Sequence, residues 1–451
     1  MSRPPGGARS GRRSARRVAT LLLAAALLCQ PACRFSTPAR PNVILVVVDT
    51  LRRDRLPGYG RAYAAAPNFA RLAEQGVLFE KAIAPSSWTK TSMASIVTAR
   101  NPDRHGVRGV EDVLPERFTS LAAAFSAGGY ETVGVNANPW LQREFGFAAG
   151  FDVYEVHSFA PARKLNQRAR SLMAGRSGRP FFLYLHYMDV HAPYLPGAAC
   201  FGTPPLDVPG FGGMPDKVLE ARYRKEGLAA PGVQERVEAL YEAEIRCADA
   251  PIGELLDEMR ERGGLDDTIV VVTSDHGEAF REHGTTEHGW NLYPEVYEVP
   301  LVIAWPGRLP AGARVARQVA SIDVAPTLLE LAGLAAPRSF EGRSLLPLDS
   351  RSRPDGIAIC AVGLNDYVPD RDYVAVVSPE HLYIKERRKG AVELYGLRDD
   401  PGAQRNLGER HPAAGPLAAL ATSAALEKVQ TQELDEETKQ QLKSLGYLQE
   451  R

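Results

Sequence analysis

Residues Ile269–Gly289 read IVVVTSDHGEAFREHGTTEHG: a β-branched apolar run breaks into the pair Asp275-His276, and His283 and His288 follow. A short continuous apolar run of this kind predicts a strand buried on both faces, as in a parallel sheet. Open α/β sheets bind ligands beyond the carboxyl ends of their strands, so Asp275 and His276 bring an oxygen and a nitrogen donor to that edge. A second run, Asn42–Asp49 (NVILVVVD), finishes in the same way on Asp49. A helix-capping acid or a satisfied buried histidine explains one such strand end as well as a metal ligand does. Two in one chain favour a metal site at the sheet edge.

Strand-like runs alternate with helical patterns outward from these two segments. Strands are expected at Asn42–Val48, Thr132–Asn136, Pro180–Tyr187, Thr268–Thr273 and Pro300–Trp305. Helices are expected at Pro67–Gln75, Ser92–Thr98, Phe118–Ala127, Val233–Met259 and Val324–Ala332. This order predicts an α/β fold with a large, mostly parallel sheet covered by helices on both faces. The Gly- and Pro-rich stretch Pro196–Pro231 reads as a long loop at the rim of a site. Past Pro347 the character changes. Ile357–Val362, Tyr373–Val377, His381–Ile384 and Val392–Tyr395 read as short antiparallel strands, with helices within Pro412–Lys428 and at Leu434–Leu448. The expected division is a catalytic domain over 42–350 and a smaller C-terminal α+β domain over 351–451.

The 451 residues are 44% hydrophobic and 24% charged with no formal net charge, which gives no reason to expect a nucleic-acid partner. Basic residues cluster only at Arg9–Arg17, ahead of the apolar run Val18–Leu28. That order is the pattern of an export signal over 1–33, followed by a polar linker over 34–41. The apolar run is too short for a permanent membrane-spanning helix. Ala32-Cys33 resembles the end of a bacterial lipoprotein signal, which would attach the chain to a membrane through a lipid on Cys33. Gln30 stands where such signals carry a leucine-like residue, and simple secretion is the alternative. Either route leads to a periplasmic or extracellular location. Cys200, Cys247 and Cys360 permit at most one internal disulfide, and buried thiols explain them equally.

Two further segments hold reactive side chains. Ala84–Thr98 (APSSWTKTSMASIVT) is dense in hydroxyls at the start of a helix, where free N–H groups and the helix dipole favour an anion. A hydroxyl bound there to a metal becomes a usable nucleophile. Ser87, Thr89, Thr91 and Ser92 are all candidates, and helix capping accounts for such clusters too. In Phe181–Tyr194 (FFLYLHYMDVHAPY), His191 is placed to protonate a leaving group or contact a substrate oxygen. Asp189 is placed to orient a histidine or bind a second metal, and His186, inside the apolar strand, reads as structural. His283 and His288, each next to a glycine, are further candidates to face the site.

These pieces resemble the sulfatase branch of the alkaline phosphatase superfamily. The likeness runs through PNVILVVVDTLRRDRLPGYG, PNFARLAEQGVLFEKAIAPSSW, FFLYLHYMDVHAPY, VVVTSDHGEAF, SIDVAPTLLELAG and ELYGLRDDPGAQRNL, and covers nearly all of the chain after the linker. It implies an alkaline phosphatase-like catalytic domain and a small C-terminal domain. Sulfatases carry a Cys-x-Pro-x-Arg motif whose cysteine or serine is oxidised to formylglycine. Counting back from Thr98-Ala99-Arg100 places that motif on Thr89-Lys90-Thr91-Ser92-Met93. Thr89 then holds the nucleophile position, and threonine is no substrate for that oxidation. Phosphodiesterase and phosphoethanolamine-transferase relatives use an unmodified threonine there, so the residues favour phosphoryl transfer from a phosphate mono- or diester.

The resemblance also implies that Asp49, Asp275 and His276 bind the metal, with Thr89 bridging metal and substrate. Thr50 replaces the family's second acid. His191 matches a substrate-contacting histidine, and His288 falls where sulfatases place a sulfate-binding lysine. Asn136 and Asn138 fall near the family's Lys-x-His pair and suit hydrogen bonding to a phosphoryl oxygen. Lys90 is placed to offset charge on the bound ester. The expected mechanism is a double displacement through Thr89, with His191 or His288 protonating the departing alcohol. One divalent cation is favoured, and the ligand types suit Ca, Mn, Mg or Zn. A two-metal version would recruit Asp189, His191 and His288. The substrate is expected to be a small-molecule, glycan or lipid ester. The alternatives are a true sulfuric ester hydrolase and a degenerate, surface-anchored binding protein.

Overall fold

Side-chain alternation along the strand Asn42–Val48 (β1) sets the layering. Val43, Leu45 and Val47 enter one buried cluster, while Ile44, Val46 and Val48 enter another, so the strand is covered on both faces. The computed structural model describes residues 1–2, 40–61, 66–175, 178–194, 232–348, 356–363, 372–422, 426–436 and 439–440. The chain divides into Met1–Ala39 and a compact unit Arg40–Arg451, and both larger sheets and their helices belong to the second. The expected signal beyond residues 1–2, the linker up to residue 39, the rim loop, and all but a few residues of the Leu434–Leu448 helix lie outside the described residues.

In chain order the catalytic region runs β1, α1 (Pro67–Gln75), β2 (Val77–Ile83), α2 (Thr89–Thr98), α3 (Pro102–His105), α4 (Leu121–Ala127), β3 (Glu131–Asn136) and β4 (Val153–Val156). Then come α5 (Ala162–Met173), β5 (Phe181–Tyr187), α6 (Val233–Glu261) and β6 (Thr268–Thr273). After a two-residue ladder of β7 (Ala279–Phe280) and β8 (Thr286–Glu287) come α7 (Pro294–Tyr297), β9 (Glu298–Val299), β10 (Leu301–Ala304), β11 (Ala313–Ala320) and α8 (Val324–Leu331). The nine-stranded sheet has the order β11-β2-β10-β6-β1-β5-β3-β4, with β9 also on β2. Its central four strands, β6, β1, β5 and β3, pair in parallel; β10 runs antiparallel to both neighbours.

Helices cover both faces. Met93, Ile96, Phe125 and Leu328 of α2, α4 and α8 join one cluster; Phe69, Leu165, Leu240 and Ile252 of α1, α5 and α6 join the other. A second, four-stranded antiparallel sheet comes next: β12 (Ala358–Gly363), β13 (Asp372–Val377), β14 (His381–Glu386) and β15 (Val392–Gly396). Ala375 and Val377 of β13 pack toward the main cluster, while Val374 and Val376 meet Leu417 and Ala421 of α9 (Ala414–Ala421). The α/β class, the parallel sheet and the small antiparallel sheet thus match the expectation. Cys360 is a buried free thiol directed at the Ala84 carbonyl, and Cys247 is disulfide-bonded.

Candidate active site

Four adjacent parallel strands end at one edge, and each contributes to a single cleft. β1 leads into Asp49, β6 into Asp275 and His276, β3 ends on Asn136 with Asn138 just beyond, and β5 carries His186 next to its last residue. The register places His186 beside Val47 of β1 and Asn136 of β3. Directly after Asp49 the chain turns through Thr50, a non-glycine residue at φ 58°. Such left-handed strain persists where the surroundings fix it. Here the Thr50 hydroxyl donates to the Val190 carbonyl at 2.9 Å and its own carbonyl accepts from Tyr241 at 2.8 Å.

Thr89 opens α2, three residues earlier than the helix read from sequence, after the buried, extended Trp88. Its hydroxyl oxygen lies 3.1 Å from His276 Nε2, 3.4 Å from Asp49 Oδ2 and 3.4 Å from Asn138 Nδ2. Strand ends and helix start therefore bring Thr89, Asp49, His276 and Asn138 together, with Asp275 Oδ2 3.4 Å from His276 Nε2. Asp49, Thr89, Asn138, Asp275 and His276 are all fully buried.

The donor set fits a divalent cation. Asp49 Oδ1 and Asp275 Oδ2 are buried carboxylate oxygens with no hydrogen-bond partner, an expensive condition unless a positive charge lies between them. His276 Nδ1 donates to the Gly277 carbonyl at 3.0 Å, so the neutral ring keeps its Nε2 lone pair for the cleft. Asp49, His186 and Asp275 also lie close enough to share an ion. The hydrogen bonds assign His186 a different place: its Nε2 is 3.1 Å from Asp49 Oδ2, an oxygen that Asn138 Nδ2 also approaches at 2.6 Å. A carboxylate accepts only, so His186 Nε2 carries the proton and points away from ligation. That leaves Asp49 Oδ1, Asp275 Oδ2, His276 Nε2 and the Thr89 hydroxyl as the set that could hold an ion. His186 supports it from behind, a contact with Asp49 that its place in an apolar strand did not reveal.

The electrostatics agree. Burial alone would raise the Asp49 pKa, but the His186 hydrogen bond and the surrounding imidazoles outweigh it and hold the carboxyl below the usual carboxylate range. Burial and the Asp49 charge push Asp275 up. Burial disfavours the His276 cation, yet Asp275 and Asp49 raise its pKa, so a proton competes with a metal ion for this imidazole.

A second group of side chains borders the cleft. The His288 ring lies 4.4 Å from the His276 ring and 4.9 Å from the His191 ring, centroid to centroid. Glu278, fully buried, meets His288 Nδ1 at 3.0 Å through one oxygen and accepts from Tyr194 at 2.8 Å through the other. Its backbone carbonyl accepts from Arg52 at 2.9 Å. His191 Nδ1 donates to its neighbour's carbonyl, Ala192, at 2.5 Å, and burial lowers its pKa to about 4. Asn136 Oδ1 accepts from the Asn138 N–H at 3.0 Å, while its buried Nδ2 has no partner. Glu278 and Tyr194 were not singled out from sequence; the one available signal was that Glu278 follows His276 by two residues.

Two expectations are corrected. Lys90 does not serve the bound ester: its ammonium donates to the Val110 carbonyl at 2.5 Å and lies 3.4 Å from the Phe145 ring centre. Residues one apart on a helix face different directions, which is why the neighbour of Thr89 enters the core. Asp189 does not ligate: both its oxygens accept from the Ala162 N–H, at 3.0 and 3.2 Å, which caps α5. The second-metal set Asp189, His191 and His288 is not assembled among the described residues. Of the other hydroxyls, Ser92 is committed to the Asp275 carbonyl at 2.6 Å, and Ser87 and Thr91 are buried without partners.

Residues 41–334 match the sulfatase family, and the chain belongs to that family, within the alkaline phosphatase superfamily. By class it is an ester hydrolase. It is 27% identical over 405 residues to the multifunctional alkaline phosphatase superfamily protein PehA of Trinickia caryophylli, covering 70% of this chain and 78% of that one. It is 25% identical over 444 residues to an arylsulfatase of Clostridium perfringens, covering 82% and 90%. The phosphonate monoester hydrolase of Agrobacterium radiobacter shares the fold with a TM-score of 0.68 at 21% identity, over 90% of this chain and 95% of that one.

Proposed function

We propose that this protein hydrolyses phosphate mono- or diesters, or transfers their phosphoryl group, through a covalent intermediate on Thr89. The observation that supports this most is the Thr89 hydroxyl, 3.1 Å from His276 Nε2 and 3.4 Å from Asp49, at the start of a helix. Thr89 stands where relatives with formylglycine carry the residue that is oxidised, so the unmodified hydroxyl is the nucleophile. Asp49, Asp275, His276 and Thr89 would hold one divalent cation, which favours the alkoxide of Thr89 and offsets charge on the ester.

In the first displacement, the Thr89 oxygen bonds to phosphorus as the bond to the ester oxygen breaks. His288, steadied by Glu278, gives the departing oxygen its proton. His191 is neutral near pH 7, since burial lowers its pKa to about 4, and its one N–H is committed to the Ala192 carbonyl, so it does not serve as the acid. In the second displacement, water bonds to phosphorus, the Thr89–phosphorus bond breaks, and a water proton returns to His288. Asn138 steadies Asp49 and Thr89, and the free Asn136 amide N–H is available to an ester oxygen.

The test is a panel of nitrophenyl phosphate, phosphodiester and sulfate esters with added divalent cations, run on the wild type and Thr89→Ala. Phosphate-ester turnover lost in the variant supports the reading. Preference for sulfate esters would favour a sulfuric ester hydrolase. Turnover of nothing would favour a binding protein. The basic-then-apolar N-terminus supports export to the periplasm or beyond, with Cys33 as a lipid anchor. Among the described residues no helix is long and apolar enough to cross a membrane.

A further inference from the structure

We infer that the cation site is a compact four-donor shell that selects zinc-like ions over calcium, because Asp49 is held to a single free oxygen and a nitrogen stands among the donors. This rests on the assignment of Asp49, Asp275, His276 and Thr89 as ligands. Asp49 Oδ2 is occupied twice, by Asn138 Nδ2 at 2.6 Å and His186 Nε2 at 3.1 Å. Both donors are themselves fixed. Tyr184 donates to His186 Nδ1 at 2.8 Å, the Asn138 amide oxygen accepts from the Trp140 N–H at 2.8 Å, and the Asn138 N–H is held by Asn136. Only Asp49 Oδ1 remains open. Asp275 is held less fully: its Oδ1 accepts from the His276 N–H at 3.0 Å and its Oδ2 is left without a partner.

Asp49 cannot turn to grip an ion with both oxygens without breaking these bonds in a fully buried place. A further acid is not supplied by the next residue, because the Thr50 hydroxyl is committed to the Val190 carbonyl. The protein thus offers two carboxylate oxygens, one hydroxyl oxygen and one imidazole nitrogen. Calcium takes six to eight oxygens and commonly grips carboxylates bidentately. Four donors with a nitrogen among them suit zinc and its transition-metal neighbours.

The experiment titrates chelator-treated full-length protein with zinc alone, calcium alone, and zinc under a large excess of calcium, by calorimetry and elemental analysis. No substrate is used, so the outcome is separable from the choice of nucleophile. The wild type should bind one equivalent of zinc that calcium does not displace. His186→Phe frees Asp49 Oδ2 and should weaken zinc about 10–100-fold, the usual effect of losing such a supporting contact, while calcium is unchanged or tighter. His186→Gln, with an amide N–H near the lost Nε2, should restore most of the zinc affinity. If His186→Phe does not fold, Tyr184→Phe removes only the hydroxyl behind the same clamp and should move the ratio in the same direction. Calcium binding as tight as zinc in the wild type, or a zinc-to-calcium ratio unmoved by the His186 and Tyr184 variants, would overturn the inference.

Discussion

Glu278→Gln removes one negative charge from behind His288 while preserving shape. The glutamine oxygen can keep the 3.0 Å contact to His288 Nδ1, and its nitrogen can donate to the Tyr194 oxygen 2.8 Å away. The tautomer of His288 therefore survives, and what is lost is the charge-assisted part of the bond. A hydrogen bond to a charged group contributes about 1.5–3 kcal/mol against about 1 kcal/mol for a neutral one. The difference, about 0.5–2 kcal/mol, corresponds to a fall in kcat of about 2–30-fold. Glu278→Leu abandons the orientation altogether and should forfeit most of the about 10²–10⁴-fold that a placed acid supplies. The assay is turnover of aryl esters graded by the basicity of the departing phenol. Loss should grow as the phenol becomes more basic, with KM little changed, because only the poor leaving groups need the proton. An equal loss across the series would refute this role for the Glu278–His288 pair.

Other perturbations separate the remaining roles. Asp275→Asn removes a carboxylate that burial and Asp49 push up, so chelator-treated protein should melt no lower than wild type. Its stabilisation by metal, about 2.7 kcal/mol at a hundredfold excess over Kd, should disappear in thermal melts. Asp189 has its pKa raised to about 6 by burial, against about 3.9 when unfolded. The folded state therefore binds more protons between these values, and stability falls as pH rises from about 4 to about 6 by on the order of 2–3 kcal/mol. Asp189→Asn should flatten that window in urea titrations at stepped pH, whereas an unchanged slope would contradict the burial argument. Lys90→Met should leave kcat within about threefold, since surroundings rather than substrate use its ammonium, and a large loss would return Lys90 to the site.

Much of this architecture is written in continuous apolar runs. β1 and β6 are legible because both faces are buried, and Asp49, Asp275 and His276 are legible because polar residues interrupt such runs abruptly. β2 and β11 were not anticipated. Glu80 and Lys81 break the apolar run of β2, and arginines at 314 and 317 break that of β11. α5, Ala162–Met173, hides behind a mostly polar composition and buries only Ala162, Leu165, Asn166 and Ala169. From the residue pattern alone the site was legible as far as residue types at strand ends; the assignment of Thr89, Asn138 and His288 came from the family resemblance. That His186 touches Asp49 follows from strand register, which neighbouring residues do not encode. The burial of Lys90 follows from its rotation about the α2 axis relative to Thr89. The Glu278 contact with His288 extends the antiparallel register of β7 and β8, a ladder of two residues per strand and too short for an alternation to be read.

Trapping the intermediate addresses the nucleophile most directly. Protein loaded with cation, quenched in acid during turnover of a slow phosphate ester and digested, can be mapped by mass spectrometry. One phosphoryl group should appear on the peptide containing Thr89, with fragmentation placing it on that residue, and it should vanish in Thr89→Ala protein that retains fold and metal content. A phosphoryl group on another residue, or undiminished turnover by Thr89→Ala, would contradict the assignment.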